Sequence, residues 1–191
     1  MTMFFAGEMF QIFMSFLMAL PSILLKIASY VLSATAIYAI ARRRGLRKPW
    51  LAWIPVVNIW LLGSLSDQYR YVVRRKNTSR RKWLLALNLI KPILMGLVIA
   101  FGMSAMVPGS YRIYWQNAIA AAGFALPLAV VAITAAVIRY IALYDVYLSL
   151  DPANAVLYLV LSICFGITEP FFLFFNREKD GGMPPRKQPG E

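Results

Sequence analysis

The chain lacks histidine altogether, carries a single cysteine, and has only 8 acidic residues in 191. Each shortage removes a class of chemistry. Without histidine there is no Ser–His or Cys–His nucleophile pair and no imidazole metal ligand, and one cysteine forms neither an internal disulfide nor a thiolate cluster. Charged residues make up 15% of the chain, against about a quarter in ordinary globular proteins. What is present instead is apolar: 60% of residues are hydrophobic and the mean hydropathy is +0.63. Lipid is the solvent that suits such a composition, so the sequence predicts an all-α, polytopic helical membrane protein. The charge it does carry is one-sided, with 20 Lys and Arg giving a net charge of +12.

The first apolar stretch covers residues 9–41 and is stopped by Arg42, Arg43 and Arg44. A cleaved signal peptide would start with a basic region, and residues 1–25 contain no Lys or Arg, so the stretch is expected to stay attached. Its polar residues Glu8, Gln11, Ser15, Ser22, Lys26, Ser29 and Ser33 are spaced 3, 4, 7, 4, 3 and 4 apart. Spacing that averages about 3.5 keeps one face toward a neighbour, which predicts one long helix, kinked if anywhere at Pro21. Thirty-three residues extend about 50 Å, more than the roughly 30 Å of hydrocarbon.

Twelve basic residues follow between positions 42 and 82: Arg42, Arg43, Arg44, Arg47, Lys48, Arg70, Arg74, Arg75, Lys76, Arg80, Arg81 and Lys82. They enclose the apolar residues 49–63. That segment is short of the roughly 20 residues a spanning helix needs, and spanning would divide the basic residues five against seven across the membrane. It is therefore expected to be interfacial or re-entrant. Trp50, Trp53 and Trp60 suit the headgroup level, while Pro55 and Asn58 would shape its turn, Pro55 by removing a backbone donor and Asn58 by offering an amide.

Three further spans are predicted over residues 83–106, 117–144 and 154–175, making four transmembrane helices plus the interfacial segment in one domain, 1–175. The tail 176–191 is rich in glycine and proline and is expected to be flexible. Asp151-Pro152 resembles a helix N-cap followed by a first-turn proline. Ala121, Ala125 and Ala129 put small residues at i, i+4 spacing, a face that allows close helix approach. With the N-terminus outside, thirteen basic residues lie inside and five outside, unless the last segment turns back near positions 166–170 and brings the tail inside.

The run from Gly45 to Gly63, containing Trp50-Leu-Ala-Trp-Ile-Pro-x-x-Asn58 and followed by Ser66-Asp-Gln-Tyr69, resembles uncharacterised multi-pass membrane proteins of Gram-positive gut-type bacteria. The end of the chain, with Thr168-Glu-Pro-Phe-Phe172 and Gly182-Met-Pro-Pro-Arg186, is similar to them as well. The resemblance covers about a third of the chain. It implies a bacterial plasma membrane and assigns no activity, catalytic residue or cofactor.

Lys26, Lys91 and Glu169 are the candidate intramembrane polar residues. Counted from the expected inner ends of their helices, Lys26 and Glu169 lie at one depth, about 22 Å from the inner edge, which predicts an ion pair. Asp67, Gln68 and Tyr69 are candidates for a cytoplasmic entrance that Asp145, near Arg139, would face, with salt bridges from these carboxylates to the basic loop as the default expectation. The basic loop is expected to lie on anionic inner-leaflet lipid, and no nucleic-acid-binding fold accompanies it. No nucleophile-elbow, phosphate-loop or zinc-protease motif occurs. The sequence thus points to a non-enzymatic membrane protein without cofactor, acting through helix association as an oligomer or an accessory subunit. The competing reading is a small-solute transporter or channel component using the intramembrane Lys and Glu groups.

Overall fold

A computed structural model describes residues 2–105 and 114–184, and among these the protein is all-helical. Helix α1 is Thr2–Arg43, α2 Pro55–Arg74, α3 Arg80–Ser104, α4 Trp115–Leu150, α5 Ala155–Cys164 and α6 Thr168–Asn176, with a 3-10 turn Pro49–Trp53 between α1 and α2. Three of them, α1, α3 and α4, are long and apolar enough to cross a membrane. Each contains one proline, Pro21, Pro92 and Pro127 respectively.

Burial divides the molecule into two layers. Apart from Ala105, every buried residue described falls within 34–69, at Leu84, or within 135–176. The first half of α1, the second half of α3 and the first half of α4 form a sparse layer that exposes apolar side chains such as Phe16, Leu24, Ile93, Leu126 and Ile133. There α3 and α4 pair as an antiparallel hairpin, with Phe101 stacked on Phe124 at 5.5 Å between centroids. All the remaining elements converge in the second layer around Ile40, Leu61, Leu65, Leu143, Val146, Tyr147 and Leu173.

The segment expected to be interfacial is built differently. Only residues 49–53 form a turn; α2 then runs on for twenty residues, starting at Pro55 in the first helical turn. Residues 61–66 are buried all round because α2 lies among α1, α3 and α4. Ser-Asp-Gln-Tyr reads as a loop in sequence, yet it is helical here because tertiary burial outweighs its weak propensity. Gly63 permits a close approach of α2 to α3, since a Cβ at that position would lie 2.7 Å from the Cα of Arg81. The first turn of α3 is capped across the interhelical turn: Asp67 accepts hydrogen bonds from the backbone N–H groups of Arg80 and Arg81 and from the Thr78 hydroxyl.

The fourth expected span, 154–175, is two short helices with a break at residues 165–167. Neither reaches more than about 15 Å, half the hydrocarbon thickness. They are antiparallel: Tyr158 stacks on Phe172 at 4.8 Å, and the Thr168 hydroxyl donates to the Leu161 carbonyl. Asp151 closes α4 as its C-cap, and Asn154, not Asp151, precedes α5. The Asp151 carboxylate accepts hydrogen bonds from Asn154, Lys179 and Tyr158, which hold it below the usual carboxylate range.

The chain beyond Asn176 was expected to be loose, but it is docked through Gly182. Gly181 and Gly182 donate to the carbonyls of Leu150 and Ser149, and Asp180 pairs with Arg43 at 2.8 Å and Arg44 at 2.9 Å. Only a residue without a side chain fits at 182, since a Cβ would come within 2.0 Å of the Leu148 carbonyl oxygen. Residues 180–182 thus lie beside the C-terminal ends of α1 and α4. Residues 185–191, Arg112 and the end of the expected 83–106 span lie outside the described residues.

Candidate functional site

Two of the polar constellations among the described residues of the buried layer differ in what surrounds them. Asp145 of α4, 1% exposed, accepts from Arg70 Nε at 2.7 Å, Arg80 Nη1 at 2.5 Å and Ser66 Oγ at 2.8 Å. One carboxylate therefore ties α2, α3 and α4 together. None of its members lines the four cavities described for this molecule, and the second Asp145 oxygen, Oδ1, is buried without a hydrogen-bond partner among the described residues. It is a structural clamp. Of the two arrangements open in the sequence, Asp145 takes the salt bridges to the basic loop, through Arg70 and Arg80, and not the entrance lined by Asp67, Gln68 and Tyr69; Asp67 caps α3, Tyr69 is buried, and Gln68 donates to the Arg44 carbonyl.

The second constellation does border empty space. A cavity of about 290 Å³ lies between α1, α2, α4 and the start of α6. Ser29, Tyr30 and Ser33 face it from α1, Pro55 and Asn58 from α2, Arg139 from α4 and Glu169 from α6. Glu169 is 6% exposed and takes both of its contacts from one nitrogen of Arg139, at 2.8 and 2.9 Å. Burial pushes its carboxyl up from the usual range, and the Arg139 charge pulls against that. Asn58, 7% exposed, makes no side-chain hydrogen bond among the described residues. Its amide is not sealed from solvent but borders the open space of the cavity, where a bound molecule or water can reach it.

The local sequence explains this convergence. The polar stripe of α1 brings Ser29 and Ser33 to one face, the proline start of α2 aims Asn58 at that face, and the break at Gly166 turns α6 so that Glu169 points back at α4. The Tyr30 hydroxyl donates to the Trp53 carbonyl at 2.6 Å and fastens the 3-10 turn to α1.

The expected pair of Lys26 and Glu169 does not form. Glu169 is held by Arg139, and Lys26 is exposed with no ion pair among the described residues. The depth count fails because the break at 165–167 reverses the direction in which Glu169 was counted, and Lys26, about one turn from Ser29, does not line the cavity that Glu169 faces. Arg139, the counterpart of Glu169, is the lone cation in the apolar stretch 115–144. Lys91 lies elsewhere, beside Pro92 in a cleft between α3 and α4.

Of the interfacial residues, Trp50 and Trp53 are exposed and Trp60 packs on the core. The basic residues separate into two groups. Arg43, Arg44, Arg70 and Arg80 are engaged in ion pairs, whereas Arg42, Arg47, Lys48, Arg74, Arg75, Lys76, Arg81 and Lys82 are in none among the described residues. Ala125 and Ala129 are exposed and Ala121 half-buried, so the small-residue face of α4 turns away from α3. Among the described residues no three His, Cys, Asp or Glu side chains come together as metal ligands would. No protein-family model, curated protein or solved structure matches the chain.

Proposed function

We propose that the protein is a three-span plasma-membrane protein, with its N-terminus outside and the α5–α6 hairpin returning to the inner side, that acts without catalysis by associating with another membrane chain through the outer half of α1. The positive-inside rule supports the orientation, because docking the tail beside the basic loop adds Arg177 and Lys179 to the thirteen basic residues already inside.

The observation that carries the association is the stripe on α1. Gln11, Ser15, Ser22, Lys26, Ser29 and Ser33 fall within an arc of about 60° at 100° per residue. In the inner half this face is covered and lines the cavity; in the outer half Gln11, Ser15, Ser22 and Lys26 are exposed, and no other part of the described chain covers them. Hydrocarbon solvates such a face poorly, while interhelical hydrogen bonds solvate it well. Parallel copies of this chain would bring Lys26 toward Lys26, so the favoured partner is a different subunit with an acceptor at that depth. Single cysteines at Ser15 or Ser22, in a Cys164→Ser background, should cross-link to that subunit in native membranes. Cysteines at Leu17 or Leu24, on the opposite face, should not. Equal cross-linking from both faces, or none from Ser15 and Ser22, refutes the reading.

A second reading has its own observation. Asn58, whose amide borders the cavity and makes no side-chain hydrogen bond among the described residues, favours a small polar solute bound between α1 and α2. A thermal-shift screen of small polar solutes tests it: a stabilising solute should lose its effect in Asn58→Leu.

A further inference from the structure

A second cavity, of about 450 Å³, opens between the α1–α2 linker, α2 and the first turn of α3, and it differs from the Arg139–Glu169 site in its charge. Arg47 and Lys48 of the linker and Arg81 of α3 border it, and no carboxylate does. None of the three makes an ion pair or a side-chain hydrogen bond among the described residues. Its inner wall is apolar, from Leu46, Leu61 and the half-buried Trp60, of which Leu46 and Trp60 pack on the core.

The backbone holds the cations in place. Gly45, in the left-handed region at φ 69°, reverses the chain after α1, and the Leu46 N–H returns to the Ala41 carbonyl, so that Arg47 and Lys48 run back beside α2. The close approach at Gly63 sets Arg81 on the opposite rim. Three like charges gathered around a cavity repel one another, and an anion relieves that repulsion. Two guanidinium forks and an ammonium match the oxygens of a phosphate. The tryptophan and leucine wall suits the glycerol end of a lipid, and Trp83, two residues beyond Arg81, marks the headgroup level.

We infer that this cavity is a binding site for a phosphate-bearing anion, occupied by the headgroup of an anionic phospholipid of the inner leaflet. Basic pockets between membrane helices on the cytoplasmic side recognise such headgroups, at about fivefold in affinity for each basic residue near the surface. The assignment to lipid rests on the orientation proposed above, which cysteine accessibility tests separately; the cavity and its charges do not depend on it.

The experiment is native mass spectrometry of the full chain in mild detergent with added phosphatidylglycerol, phosphatidylcholine or inorganic phosphate. The wild type should retain phosphatidylglycerol and not phosphatidylcholine, with inorganic phosphate at equal concentration failing to displace it. The triple variant Arg47→Gln, Lys48→Gln, Arg81→Gln should bind about a hundredfold more weakly. The triple variant Arg74→Gln, Arg75→Gln, Lys76→Gln, which removes equal charge outside the cavity, should bind like the wild type. Arg47→Lys with Arg81→Lys keeps the charge, removes the forks, and should fall between them. Equal losses in the two glutamine variants would mean diffuse attraction and overturn the site. Displacement by inorganic phosphate would overturn the lipid assignment in favour of a soluble phosphate, and absence of retained phosphatidylglycerol would overturn both.

Discussion

Replacing Asp145 by asparagine should be the most damaging single polar substitution in the buried layer. The side chain keeps its size and can still accept from Ser66, so packing is nearly unchanged and the perturbation is mainly electrostatic. Arg70 and Arg80 both contact the same Oδ2, at 2.7 and 2.5 Å, which places their nitrogens no more than about 5 Å apart. Without the carboxylate those two cations repel by about 3 kcal/mol at an effective dielectric constant near 20. Their exposure, 18% and 16%, screens part of this, while the loss of two charge-assisted bonds works in the opposite direction. The net expectation is a loss of about 3 kcal/mol, the lower end of what removing one member of a buried ion pair costs. Reversible unfolding in mixed micelles with increasing dodecyl sulfate, followed by tryptophan fluorescence, measures it. The triple variant Asp145→Leu, Arg70→Met, Arg80→Met should recover most of the loss, because it leaves no charge uncompensated. A loss below about 1 kcal/mol in Asp145→Asn, or no recovery in the triple variant, would show that the cluster is solvated and does not clamp the three helices.

Topology is tested by single cysteines at Arg75 and at Glu178, whose side chain is 83% exposed, in a Cys164→Ser background. Both should resist an impermeant thiol reagent in intact cells and react after permeabilisation; labelling of Glu178→Cys from outside would mean that 154–175 crosses. Gly182→Ala should undock the tail, since its Cβ would collide with the Leu148 carbonyl, and trypsin should then cleave faster after Arg177 and Lys179. Unchanged proteolysis would count against tight docking. Glu169→Gln strands the Arg139 charge and should cost about 2 kcal/mol in the same unfolding assay, whereas Lys26→Met should cost nothing measurable. Their effects should add in the double variant, and partial recovery there would revive a Lys26–Glu169 contact.

Much of this protein is set by its sequence alone. Long apolar runs force helices, because an unpaired backbone has no partner in hydrocarbon, and residues 9–41, 83–106 and 117–144 coincide closely with α1, α3 and α4. The stripe from Gln11 to Ser33 and the Pro55–Asn58 motif were also visible locally, since periodicity and proline chemistry act within a few residues. The rest depended on contacts far apart in the chain. That 154–175 folds back could not be read from its hydropathy, which is high throughout; it follows from Asp180, Gly181 and Gly182 docking beside Arg44 and Leu150, which requires the chain to return to the end of α4. The helical state of residues 64–69 rests on burial among three other helices. Ion-pair partners follow the same logic. A sequence shows which charges are scarce and therefore in need of partners, but Arg139 meets Glu169, and Asp145 meets Arg70 and Arg80, only because folding fixes their positions, and electrostatic attraction depends on that separation rather than on distance along the chain.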